Sequence, residues 1–214
     1  VDWVEIDVKL TRYDVPILFH DETLDRTTNG SGPVAEKSWN EIRQLEAGSW
    51  FGESFAGTQI PSLEEALDII LERDLALNLE IRPCPGREKE TAEAALDILS
   101  QSWDNDNLLI SSFQPVSLEI AQDMAQDYKR ALVLPHEWPD NWHEIAKHLE
   151  VFSIHIDGYN SSKEMIRNVI EFGKPVLAYT INEPLKIREL QGLGIDGFFT
   201  DLPDIVEECL FTVH

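Results

Sequence analysis

The run Trp3-Val4-Glu5-Ile6-Asp7-Val8 near the start of the chain alternates aliphatic and acidic residues. Strand side chains project to opposite faces in turn, so Val4, Ile6 and Val8 share one face and Glu5 and Asp7 the other. An aliphatic face belongs under helices. The carboxylate face then points into an enclosed interior, near the C-terminal end of its strand. Leu77-Asn78-Leu79-Glu80-Ile81-Arg82 repeats the pattern, with Glu80 and Arg82 on one face and the aliphatics on the other.

Working outward, short β-rich runs alternate with amphipathic segments. The expected strands are 3–8, 75–81, 108–112, 130–134, 151–156, 175–180 and 197–200. The expected helices are 62–73, 88–102, 115–127, 140–149, 161–172, 183–191 and 203–210. Ser62 with Glu65 and Ser161 with Glu164 read as capping boxes, Asn182 as an N-cap, and Pro115 and Pro203 as first-turn prolines. Seven βα units in strict alternation fit an open doubly wound sheet or a (β/α)₈ TIM barrel short of one unit. Adding a unit of roughly 30 residues in front brings the length near the typical barrel size of about 250. The expectation is therefore an α/β TIM barrel missing its first βα unit, a single domain over residues 1–214.

One segment breaks the alternation. Val8 and Ile17 are too close in sequence for a parallel crossover, so the chain must turn back as a hairpin. With Tyr13-Asp14 as a two-residue loop, Arg12 faces Val15, and the register runs down to Asp7 beside His20. Pro16 requires an edge strand. Residues 22–59 then form an insertion at the barrel mouth, with a Gly-rich start, a short helix capped by Ser38 and Glu41, and the aromatics Trp50, Phe51 and Phe55. It reads as a decorated loop or as a wall shaping substrate access.

Glu5, Asp7 and Glu80 converge in this arrangement. Clustered, buried carboxylates repel and resist ionisation unless a cation joins them, and an all-oxygen donor set suits Mg²⁺ or Ca²⁺ rather than Zn²⁺. The alternative is an ion pair of Glu5 or Glu80 with Arg82. His20 is the histidine that the hairpin brings to these acids, a candidate general acid or base. His136 and His155 are weaker candidates for lining the mouth, and His143, His148 and His214 read as structural.

The 214 residues carry 40 acidic and 17 basic side chains, a formal net charge of -23. Such a field disfavours nucleic acid and polybasic docking on anionic membranes, which both draw affinity from Lys and Arg clusters. No apolar run is long enough to span a bilayer. Cys84 and Cys209 are far apart and outside metal-type spacings, which favours a reducing, cytoplasmic setting.

The runs Glu5–Thr11, Pro16–Asp21, Leu24–Gly30, Ile60–Leu67, Asn78–Pro83, Ser111–Phe113, Tyr179–Asn182 and Asp196–Asp201 resemble, in order and spacing, the glycerophosphodiester phosphodiesterase family, its cytosolic bacterial members above all. The resemblance implies hydrolysis of small phosphodiesters such as glycerophosphocholine or glycerophosphoethanolamine to an alcohol and sn-glycerol 3-phosphate. It implies that Glu5, Asp7 and Glu80 bind one divalent cation, that His20 is one of two acid/base histidines, that Arg82 contacts phosphate, and that Phe113 and Tyr179 flank the glycerol. The family's His-Arg-Gly motif, source of the other histidine, has no match here. Arg82 stands where Lys is usual, Tyr179 where Trp is common, and Tyr13-Asp14 where Asp-Gly is common. The chain as written is therefore expected to be strongly impaired, with open strand edges prone to pair with another copy. Competing readings are a related TIM-barrel phospholipase of the C or D type, and a non-catalytic module that binds metal and phosphate.

Overall fold

The computed structural model describes residues 2–104 and 106–211, with backbone alone for 208–211. The chain divides into two compact units, Asp2–Tyr128 and Lys129–His214. In the first, β1 (Trp3–Leu10) turns back into β2 (Pro16–Leu18). The insertion follows with α1 (Trp39–Ile42), then α2 (Leu63–Glu72), β3 (Ala76–Ile81), α3 (Glu88–Ser102), β4 (Leu108–Ser112) and α4 (Pro115–Met124). The strand order is β2-β1-β3-β4, antiparallel at the first pair and parallel after it.

The alternation of β1 and β3 has the expected consequence. Parallel register sets Glu5 beside Asn78 and Asp7 beside Glu80, so acids from two strands share one face. Leu77, Leu79 and Ile81 on the other face of β3 are fully buried. At about 25 cal/mol per Å² of apolar surface, burial of such aliphatics stabilises the unit that holds the acids together. Capping boxes at Ser38–Glu41 and Ser62–Glu65 start α1 and α2 as their sequences predict.

The hairpin differs from its sequence reading by one residue. Val8 pairs with Leu18, Lys9 with Ile17 and Leu10 with Pro16. The ladder extends to Thr11, whose N–H donates to Val15 O at 3.0 Å, so the loop is Arg12-Tyr13-Asp14, three residues and not two. Asp14 N–H closes a turn on Thr11 O at 3.2 Å, and Asp14 takes a left-handed φ of 61°. A type I turn followed by a left-handed residue is the usual three-residue hairpin connection. The Asp14 carboxylate is held by the guanidinium of Arg87, the N-cap residue of α3, which supports that conformation.

The insertion has its own small core. Ile17 and Phe19 from the returning arm pack with Leu24, Val34, Ile42 and Ile60. Glu46 Oε1 accepts from the N–H groups of Gly48, Ser49 and Gly57 at 2.7, 2.8 and 3.1 Å. Gly48 is required there, because a Cβ would stand 1.9 Å from Phe55 O. Trp50, Phe51 and Phe55 are exposed and meet edge to face, with ring centroids 5.6 and 5.1 Å apart. The outer edge of β2 is covered by an Ile17–Ser62 bridge, with Leu18 N–H donating to Pro61 O at 3.1 Å. At this edge the expected open strand is absent.

The second unit runs β5 (Lys129–Val133), α5 (Trp142–His148), β6 (Ser153–Asp157), α6 (Lys163–Glu171), β7 (Val176–Tyr179), α7 (Pro184–Leu193), β8 (Gly197–Phe198) and α8 (Pro203–Phe211). Its strands are parallel in the order β5-β6-β7-β8. Two caps differ from expectation. Ser162, not Ser161, caps α6, accepting from Met165 N–H at 3.2 Å. Glu183 is the N-cap of α7, while Asn182 Oδ1 accepts from Thr200 and from Asp201 N–H, both at 2.9 Å. The competing partners on the loop after β8 take Asn182 away from the helix end.

His155 on β6 does not line an open mouth: it is 2% exposed, with its ring 4.8 Å from that of Phe199. Burial pushes its pKa down to about 3. The unfolded imidazole takes up its proton near pH 6.5, so below that pH the unfolded state binds more protons and stability falls. This residue contributes a loss of about 1.4 kcal/mol per pH unit until pH approaches its folded pKa. Denaturant melts from about pH 6 to about pH 4 should fall less steeply for His155→Gln than for the parent. Parallel slopes would show that His155 is not held neutral.

Candidate active site

Glu5, Asp7 and Glu80 offer carboxylate oxygens that all lie within 4.8 Å of one another. Glu5 is exposed, Asp7 half-buried and Glu80 buried. Burial first, and Asp7 second, push the Glu80 pKa up to about 7. Asp7 is also raised by burial, against the pull of the Arg82, His20 and Lys9 charges. Arg82 Nη1 donates to Glu80 Oε1 at 2.8 Å and stands 3.7 Å from Asp7 Oδ1. The ion pair weighed as an alternative is therefore present, yet one guanidinium does not offset burial and mutual repulsion of the acids. A hard divalent cation fits this donor set, since it takes oxygen ligands and favours the ionised form of every one of them.

His20 sits one position beyond the facing pair. Phe19 N–H donates to Asp7 O at 3.1 Å, so Phe19 faces Asp7, and its side chain turns into the insertion core. His20 remains close enough for its charge to act on Asp7. Its Nδ1 lies 2.6 Å from Asp21 Oδ1.

Arg82 also stacks on Phe113, its guanidinium carbon 5.3 Å from the ring centroid. A cavity of about 470 Å³ adjoins these groups, with His20, Arg82, Phe113, Gln114 and Lys9 among its walls. The three carboxylates are not part of its lining. Tyr179 lies in the second unit, where its hydroxyl donates to Leu134 O at 2.6 Å. His136 is exposed, His143 lies 3.4 Å from Glu144, and His214 is outside the described residues.

Lys9 received no role from the sequence, although alternation continued one step past Glu5 and Asp7 places it on their face. It is 1% exposed and its Nζ donates to Arg82 O at 2.8 Å. Burial lowers its pKa, with Cys84 and Asp7 pulling the other way. Cys84 is buried and free. Among the described residues no helix is long and apolar enough to cross a membrane.

Comparison with known proteins adds lineage to this geometry. The profile of the glycerophosphoryl diester phosphodiesterase family matches residues 1–205. A glycerophosphodiester phosphodiesterase of Caldanaerobacter subterraneus is 33% identical over 207 residues, covering 95% of this chain and 83% of that protein. Among solved structures, an Oleispira antarctica phosphodiesterase in complex with the product sn-glycerol-3-phosphate is 35% identical, with a TM-score of 0.91 over 98% of this chain and 85% of that one. A glycerophosphodiester phosphodiesterase of Agrobacterium tumefaciens is 25% identical, with a TM-score of 0.74 over 96% and 86%. The strand and helix alternation is that of the α/β TIM-barrel class expected from the sequence. The chain belongs to the glycerophosphoryl diester phosphodiesterase family, a family of phosphoric diester hydrolases.

Proposed function

We propose that this protein hydrolyses glycerophosphodiesters such as glycerophosphocholine and glycerophosphoethanolamine to an alcohol and sn-glycerol 3-phosphate, with Mg²⁺ or Ca²⁺ as cofactor. The observation that carries this reading is the meeting of Glu5, Asp7 and Glu80 within 4.8 Å. Arg82 beside them and the product-bound relative at 35% identity support it.

Glu5, Asp7 and Glu80 would hold the cation, whose charge offsets that of the phosphate and of the oxyanion that develops on it. Arg82 presents a planar fork to a phosphate oxygen, a geometry that a lysine would not offer. Phe113 keeps the guanidinium in place and gives the glycerol an apolar neighbour. His20 moves a proton at Nε2, since Nδ1 is engaged by Asp21. The cytoplasmic setting expected from cysteine usage is kept, and the free, buried Cys84 supports it.

The test is product release by the whole protein. Release of sn-glycerol 3-phosphate should fall by about 100-fold or more on chelation, since a metal supplies several kcal/mol of charge stabilisation and about 1.4 kcal/mol is tenfold in rate. Added Mg²⁺ or Ca²⁺ should restore it. Release of the phosphorylated alcohol instead, or turnover indifferent to chelator, would overturn the reading.

A further inference from the structure

The insertion is joined to His20 by a continuous chain of polar contacts. Arg26 Nε donates to Asp21 Oδ2 at 2.6 Å and Arg26 Nη2 to Asp21 Oδ1 at 2.8 Å, a two-point clamp on one carboxylate. The same Oδ1 lies 2.6 Å from His20 Nδ1. On its far side the Arg26 guanidinium stacks on Trp50, 5.7 Å from the ring centroid, and Trp50 Nε1–H is anchored on Ala47 O at 2.9 Å. Two side chains, Arg26 and Asp21, thus connect Trp50 of the insertion's exposed aromatic group to the His20 imidazole.

We propose that Arg26, backed by Trp50, is a positioning residue for His20 that acts through Asp21. A bidentate guanidinium fixes the plane of the carboxylate as well as its charge. An ionised carboxylate so held can only accept, so His20 Nδ1 must carry the proton and Nε2 is left as the nitrogen that exchanges a proton with substrate. The pKa of Asp21 is lowered chiefly by its hydrogen bond to Arg26, which keeps it the acceptor across the working pH range. The insertion then sets the tautomer of the acid/base histidine, in addition to shaping access. The inference rests on the proposed role of His20.

The test compares Arg26→Gln, Arg26→Lys, Asp21→Asn and the Arg26→Gln/Asp21→Asn double variant in the whole protein. The Arg26 side chain is 55% exposed, so its replacement leaves the core intact. Ring-nitrogen NMR shifts of His20, assigned with His20→Gln and recorded about two pH units above the ordinary imidazole pKa of about 6.5, report the tautomer directly. The parent should show Nδ1–H in excess, Arg26→Gln should shift population to Nε2–H, and Arg26→Lys should lie between. In turnover, Arg26→Gln should lower kcat by about 10- to 100-fold, the usual range for removing a partner behind a functional histidine, with KM within about threefold. The double variant should be no slower than Asp21→Asn alone. An unchanged His20 tautomer in Arg26→Gln, or additive losses in the double variant, would overturn the proposal. If His20→Gln is fully active, the proposed acid/base role of His20 fails and this inference with it; if it is inactive while Arg26→Gln matches the parent, this inference alone fails. No turnover in the parent would count against the proposed function and leave the tautomer to decide this inference.

Discussion

Glu80→Gln is expected to abolish stabilisation by divalent cations while leaving the metal-free protein at least as stable as the parent. Glu80 is the most buried of the three acids, and its pKa is pushed up by burial and by Asp7. A carboxylate with a raised folded pKa contributes stability below its unfolded value near 4.5 and loses it as pH rises through the folded value near 7. At about 1.4 kcal/mol per unit, an ionised Glu80 costs the metal-free fold on the order of a few kcal/mol above neutral pH. The amide removes that cost and keeps the shape. With cation present the comparison reverses, because binding to the folded state alone contributes about 2.7 kcal/mol at a hundredfold excess over Kd. Thermal melts of both proteins at alkaline pH, with chelator and with Mg²⁺ or Ca²⁺, read both effects. A cation-induced shift in Glu80→Gln equal to that of the parent would place the ion elsewhere.

His20→Gln is expected to lower kcat by about 10²- to 10⁴-fold, the range for loss of a general acid or base. The His20 side chain is 54% exposed, so stability should change by no more than about 0.5 kcal/mol. The cation-induced shift in melting temperature should persist, since His20 is not among the three converging oxygen donors. Loss of turnover with an intact cation response separates proton transfer from metal binding. Parental turnover in this variant would remove His20 from the reaction.

What the sequence made legible follows from where its pattern was redundant. The alternation in 3–8 and again in 77–82 points to one face twice, and parallel register aligns Asp7 with Glu80 as that pattern requires. The hairpin register was not redundant. Pro16, Ile17, Leu18 and Phe19 are all apolar, so no alternation pinned which of them faces in, and one extra loop residue, Arg12, moved every pair by one. His20 kept its neighbourhood because it lies just past the ladder, where the chain is free to turn. Cap assignment failed in the same manner: Ser161 and Ser162 are adjacent and chemically alike, and only tertiary packing selects between them. Lys9 was legible in principle. Its alternation places it on the acidic face, but its role shows only once the Arg82 carbonyl that holds its Nζ is known. Arg26 was equally silent, because its partners are five residues back and across the insertion at Trp50.

Anomalous diffraction from crystals of the whole protein soaked in Mn²⁺ or Ca²⁺ tests the central claim most directly. The account predicts one strong peak bounded by carboxylate oxygens of Glu5, Asp7 and Glu80, at about 2.0–2.6 Å from each ligating oxygen, with His20 beside it. A fully occupied peak elsewhere, with these three carboxylates unliganded and Arg82 still on Glu80, would contradict it.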